Sequence, residues 1–139
     1  MPEHDARSRF ADSPVARLAT VRPDGAPHLV PVVFALVDEV ITTVVDQKPK
    51  RSTSLQRLAN LRAEPRCCLL VDHYDDDWNQ LWWVRADGRA EVVEDPAADD
   101  PGLAALVGRY RAYRDRPPPG ALIRIEVIRW TGWAAADDQ

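Results

Sequence analysis

The sequence has 139 residues, 45% hydrophobic and 29% charged, with 18 Lys and Arg against 22 Asp and Glu for a formal net charge of -4. That length suits one domain with a real core, here taken as residues 1–139, and the composition excludes a largely disordered chain. The acidic balance disfavours a general nucleic-acid binder, and no apolar run approaches the roughly 18 residues of a membrane span. The charged opening MPEHDARSRF lacks the apolar stretch of a signal peptide. The two cysteines, Cys67 and Cys68, are neighbours. On a strand they point to opposite faces, which argues against a disulfide between them and for a reducing cytoplasm.

Residues 1–13 read as an N-terminal arm, frayed or a short helix ending near Asp12-Ser13-Pro14. From Ala16 to Arg22 small or apolar residues alternate with polar ones, a strand pattern. Pro23-Asp24-Gly25-Ala26 is a tight turn, and His28 to Leu36 forms the return strand. Its run from Leu29 to Phe34 is apolar on both faces, so Pro31 must sit where no ladder donor is needed. Asp38-Glu39 is a second turn before the β-branched strand Val40 to Val45. Thr53 and Gln56 have capping-box spacing, and Leu55, Leu58, Ala59 and Leu61 form one apolar helix face that Pro65 ends. A strand from Arg66 to Asp72 follows, then an acidic loop at Asp75-Asp76-Asp77. Leu81 to Arg85 and Gly88 to Glu94 are two strands, or one long strand bulged at Asp87-Gly88. A second helix is predicted from about Leu103 to Arg114, broken by Pro117-Pro118-Pro119-Gly120, before a last strand from Ala121 to Trp133. The order predicts a mainly β, α+β fold: a small barrel with a few connecting helices.

The densest charge feature runs from Lys48 to Arg66: Lys48, Lys50, Arg51, Arg57, Arg62 and Arg66 against Glu64 alone. It straddles a predicted helix start carrying Ser52, Thr53 and Ser54. Free N–H groups, a positive dipole end, hydroxyls and cationic side chains there favour a phosphate or another polyanion. A solvated basic helix face is the plain alternative. Of the five Trp, Trp78, Trp82 and Trp83 cluster. Trp82 and Trp83 face opposite sides of a strand, so one packs inward and the other lies against a subunit or a planar ligand, unless both fill core and interface. Trp130 and Trp133 also diverge unless Gly132 supplies a bulge. His4, His28 and His73 form no metal-spaced cluster, and Asp72-His73 with Asp75 to Asp77 reads as a solvated turn before it reads as a weak cation site. No metal site and no catalytic acid, base or nucleophile is predicted, and the cysteines read as buried, inert thiols. An anion pocket, aromatics and short apolar strands suit a protein whose cofactor performs the chemistry.

The stretches ARLATVRPDGAPHLVPV, KPKRSTSLQRLANLRAEPRCCLLVD and DDDWNQLWWVRADGRAEV resemble the pyridoxamine 5'-phosphate oxidase-like split β-barrel family (FMN-binding split barrel-like). They are most similar to its actinobacterial branch, which uses the deazaflavin coenzyme F420 in place of FMN. The resemblance runs from about Val15 to Trp133. It implies a homodimer with two cofactors in grooves between the subunits. The cofactor phosphate would sit at Lys48, Lys50, Arg51, Ser52, Arg57 and Asn60. The ring would lie along Leu29 to Phe34 and Thr43 to Asp46, including Val32, Val33, Val45 and Asp46. Trp78 to Trp83 of the partner would close the site. The implied chemistry is hydride transfer between the deazaflavin and an unsaturated organic substrate. Three departures stand out, the first being a longer spacing from the basic loop to Asn60 than in shorter F420-binding relatives. The loop reads Gln47-Lys48-Pro49-Lys50-Arg51 where FMN-using oxidases have a Ser-Arg-Lys arrangement, and the Arg- and Pro-rich ending of true pyridoxamine phosphate oxidases is missing, so that reaction is not expected. An FMN-binding barrel, a non-catalytic cofactor carrier, sensor or haem-type module, and a purely structural dimer are the competing expectations.

Overall fold

The computed structural model describes residues 1–45, 52–118 and 120–138, and for 52–55 the backbone alone. Helix α1 (Glu3–Asp12) precedes strands β1 (Ala16–Val21), β2 (Pro27–Val32), β3 (Ala35–Val37) and β4 (Val40–Val44). Helix α2 (Ser52–Ala63), strand β5 (Arg66–His73), a short 3-10 turn (Trp78–Gln80) and strand β6 (Trp82–Val93) follow. Helices α3 (Pro101–Arg109) and α4 (Arg111–Asp115) then lead into β7 (Leu122–Ala134) and a final 3-10 turn (Ala135–Asp138). The strands form one seven-stranded sheet in the order β2-β1-β5-β6-β7-β4-β3, antiparallel throughout and curled into a half barrel. This is the mainly β split-barrel architecture that the strand pattern predicts.

The two-residue period sorts the sheet into faces. On the concave side Ala16, Leu18 and Thr20 of β1 stand opposite Val32, Val30 and His28 of β2. Leu69, Ala86 and Ile125 continue that face, and α1 adds Ala6 and Phe10 to the same core. A second, smaller core lies on the other side of the sheet, where Leu106 of α3 packs on Ala35, Val44 and Leu122. Helices α3 and α4 therefore cover only the β3-β4-β7 end of that side. Among the described residues no helix covers the β2-β1-β5-β6 end of that side, the bare face of the sheet.

Several local expectations hold. Gly25 turns the first hairpin at φ 89°, with the Asp24 carboxylate accepting from the Ala26 N–H at 2.9 Å. β6 is one long strand whose register shifts at Asp87/Gly88. Prolines 27 and 31 lie on an edge strand four residues apart, so both address the side of the ladder that needs no donor.

Others are corrected. The return strand breaks at Val33-Phe34, and in β2 only one face is buried, leaving Leu29 66% exposed. The second helix begins earlier, at Pro101, because Asp100 caps it, and it divides at Tyr110. There the Tyr110 hydroxyl accepts from the Phe34 N–H at 3.2 Å, and Arg109 donates to the Phe34 carbonyl at 2.9 Å and the Ser13 carbonyl at 2.5 Å. Those ties to the strand break replace a continuous helix. Gly132 carries no bulge, since pairing runs without interruption from Trp83↔Trp133 to Ala86↔Trp130. A Cβ at Gly132 would stand 2.7 Å from the Met1 sulfur and 3.3 Å from the Ala6 Cβ, so the glycine admits α1.

Candidate functional site

Helix α2 carries the predicted anion site, and buried hydrogen bonds fix its position. Asn60 is fully buried; its amide donates to the Thr20 hydroxyl on β1 at 3.0 Å, and its oxygen accepts from Gln56 at 2.7 Å. Leu58 and Leu61 sink into the concave core beside it. Gln56 thus turns toward Asn60, one helical turn onward. Of the residues expected on the cofactor phosphate, Lys48, Lys50 and Arg51 lie outside the described residues, as does the side chain of Ser52; Asp46, expected beside the ring, lies outside them too.

Arg57 lies one turn before Asn60 and is half-buried. Its Nε is buried with no hydrogen-bond partner. Burial lowers the guanidinium pKa, against a smaller opposing influence of Tyr113. Across from Thr20 in the β1-β2 register sits His28, buried, with its Nδ1 also unpartnered. Burial first, then the positive charges of Arg22 and Arg57, push the His28 pKa below its ordinary 6.5. His28 is therefore a neutral imidazole near neutral pH, among cations. It was not singled out from the sequence as a site residue. The signal was there in the alternation of β2, which puts His28 on the same face as Val30 and Val32.

The strand residues expected beside a ring are placed as follows. Val32 and Val45 are buried in the concave core, so only their backbones are available to a ligand. The Val33 carbonyl accepts from the Thr43 hydroxyl at 2.7 Å, which pins the chain where β2 gives way to β3. The Val45 N–H donates to the Ala121 carbonyl at 3.2 Å.

The aromatic residues lie elsewhere. Trp82 stacks on His73 at 6.0 Å with Arg9 over its ring at 5.2 Å. Trp83 points to the bare side of the sheet, with Arg85 over it at 5.8 Å. There it lines a cleft of about 390 Å³ with Leu70, Asp72, Arg85 and Trp133. Trp78, in the 3-10 turn, is 69% exposed. Within one copy, Trp83 and Asn60 are on opposite sides of the sheet. The cysteines also part: Cys67 faces Gly88 and Cys68 faces Asp87. Burial pushes the Cys67 thiol up to about 12, helped by Cys68 and Asp87, and burial raises Cys68 as well, so neither is a ready nucleophile. Among the described residues no helix is long and apolar enough to cross a membrane.

A family model described as pyridoxamine 5'-phosphate oxidase matches residues 2–134. The chain belongs to that family. Among solved structures, a conserved hypothetical protein from Mycobacterium tuberculosis is 28% identical, with a TM-score of 0.78 over 97% of this chain and 86% of that one. A FAD-binding protein from Mesorhizobium loti is 20% identical, with a TM-score of 0.75 over 95% and 92%. The FAD-binding protein from Mycobacterium smegmatis is 19% identical, with a TM-score of 0.65 over 96% and 94%. No curated protein matches the chain. The family includes oxidases and other oxidoreductases, and the likenesses below 25% identity establish a shared fold.

Proposed function

We propose that this member of the family is a cytoplasmic F420-dependent oxidoreductase that works as a homodimer. The observation that carries the reading is Arg57: a half-buried cation on α2, its Nε unpartnered, one turn past a helix start that follows Lys48, Lys50 and Arg51. A buried, unsatisfied guanidinium N–H fits an anionic group better than empty space. In this reading Lys48, Lys50, Arg51, Ser52 and Arg57 hold the acidic part of the cofactor, and Asn60 positions Arg57 by anchoring the helix. Val32, Val33, Val45 and Asp46 flank the ring with strand backbone, and the Thr43 bond to Val33 keeps that backbone still.

When bound, the deazaflavin supplies the hydride for an unsaturated organic substrate. The chain's own contribution is charge at the anionic end, a rigid strand edge, and exclusion of water by Trp78 and Trp83 from a second copy. The bare sheet face supports the second copy, since it exposes Val21, Leu29 and Leu70 beside the half-buried Trp83 and Trp133.

A flavin in place of F420, FMN above all, is the second reading, favoured by the two FAD-binding neighbours. Titrating the protein separately with F420 and FMN, followed by Trp fluorescence, decides between them. The expected result is saturable F420 binding, weakened by Lys50→Ala and Arg51→Ala by about 1–3 kcal/mol each through lost charge-assisted bonds. Saturable FMN binding without a response to F420 overturns the cofactor choice. Binding of F420 without hydride transfer to any of a panel of enones, quinones and tetrapyrroles would make the chain a carrier.

A further inference from the structure

Two buried side-chain atoms without hydrogen-bond partners occur on neighbouring elements of one face: His28 Nδ1 on β2 and Arg57 Nε on α2. Their proximity follows from the fold. His28 stands directly opposite Thr20, Thr20 is hydrogen-bonded to Asn60 at 3.0 Å, and Arg57 lies three residues before Asn60, on the same side of the helix. Arg22, the residue after β1, is close enough for its charge to act on His28. Among the described residues no carboxylate pairs with Arg57. The other two unpartnered buried atoms differ in kind. Arg7 Nε lies 3.0 Å from a Glu39 carboxylate oxygen, and Thr131 Oγ1 is an uncharged hydroxyl on the bare face.

We propose that His28 and Arg57 form one seat for an oxyanion, a phosphate or carboxylate group, between β2 and α2. The seat rests on the F420 reading for Arg57 and deepens it by adding a residue from the opening hairpin. Both groups supply N–H donors: Arg57 through Nε, and the imidazole in the tautomer that carries its proton on Nδ1. An anion there satisfies both orphaned donors at once and neutralises the charge of Arg57. A cation or an apolar group satisfies neither.

The experiment uses the full chain labelled with 15N-histidine and follows the His28 ring nitrogens on adding inorganic phosphate, acetate, F420 and FMN in turn. The expected result is a saturable shift of Nδ1 with phosphate, and Arg57→Gln weakens that binding about tenfold. Measured by isothermal titration calorimetry with phosphate, which needs no histidine signal, His28→Asn, which keeps an N–H near the Nδ1 position, stays within about threefold of the wild-type affinity, whereas His28→Leu loses about tenfold. A matching shift with either cofactor identifies the cofactor's phosphate as the occupant. A shift with acetate but with neither cofactor assigns the seat to a substrate carboxylate. If none of the four moves the His28 nitrogens at saturation, a bridging water satisfies the pair and the seat is wrong. That failure differs from failure of the F420 reading. Normal F420 binding by fluorescence with a silent His28 discards only the seat, while a phosphate response with no binding of F420 or FMN keeps the seat and discards the cofactor.

Discussion

Thr20 and Asn60 are joined by a hydrogen bond of 3.0 Å inside the concave core, both almost wholly buried, and this bond ties α2 to β1. Removing the amide strands the Thr20 hydroxyl and frees Gln56. Asn60→Leu should therefore cost about 1–3 kcal/mol of folding stability, measured by urea unfolding. Thr20→Val with Asn60→Leu should cost clearly less than the sum of the two single changes, because the pair leaves together. Additive losses in that cycle would separate the two residues energetically and leave α2 without this anchor.

A second buried polar junction holds α3. One oxygen of Asp100 accepts from the N–H groups of Gly102 at 2.9 Å and Leu103 at 3.1 Å, and the other pairs with Arg124 of β7. Asp100→Ala deletes the cap and leaves Arg124 without its acid, a loss of about 2–4 kcal/mol. Asp100→Asn keeps an acceptor for the helix N–H groups and should fall between that variant and the wild type. Equal thermal stability of both variants and the parent would contradict this account of the helix start.

Gly102 and Gly108 lie on the same helix and predict opposite outcomes. A Cβ at Gly102 would run into the Thr42 side chain of β4, with the Thr42 Cβ at 2.7 Å and Cγ2 at 2.8 Å, whereas one at Gly108 meets nothing within 4 Å. Gly102→Ala should destabilise by about 1–3 kcal/mol through overpacking. Gly108→Ala should stabilise by about 0.5–1 kcal/mol through helix propensity. Thermal unfolding midpoints moving in the same direction for both would sink the argument.

Much of this fold is legible in the sequence where the governing signal is local. The Asp24-Gly25 and Asp38-Glu39 turns, the Asp87-Gly88 shift and the end of α2 before Pro65 each depend on a few adjacent residues. Misread places depend on distant partners. The break at Val33-Phe34 and the division at Tyr110 are one event, written at residues 76 positions apart and joined through the Tyr110 hydroxyl. No window of neighbouring residues contains both. The site divides the same way. Arg57 and Asn60 stand out through a basic, helical stretch, but His28 gains meaning only when β2 pairs with β1 and α2 closes over them.

The bare β2-β1-β5-β6 face yields a prediction about assembly. Leu29 is 66% exposed and Leu70 38%, on the sheet face opposite α1 and α2, which no helix among the described residues covers. If a second copy buries this face, Leu29→Arg with Leu70→Glu should convert a dimer to a folded monomer, read by sedimentation velocity with circular dichroism unchanged. A wild-type protein that sediments as a monomer across a wide concentration range rejects the dimer. So does a double variant that still dimerises as tightly as its parent.

His28 sets a dependence on pH whose sign follows from its environment. Burial and the charges of Arg22 and Arg57 hold its folded-state pKa below 6.5, so on acidification the unfolded chain takes up a proton before the native one does. Stability is therefore full at neutral and alkaline pH, declines as pH falls through the unfolded value, and stops declining once the folded midpoint has been passed. Subtracting the unfolding free energy of His28→Asn from that of the wild type, from about pH 7.5 down to 5, removes the contributions of the other titrating groups. The difference should shift against the wild type as acid is added. Saturating phosphate should reduce that shift, because an anion beside the imidazole favours its protonated form. A difference that stays flat across the range would mean that His28 titrates alike in both states and that Arg22 and Arg57 do not press on it.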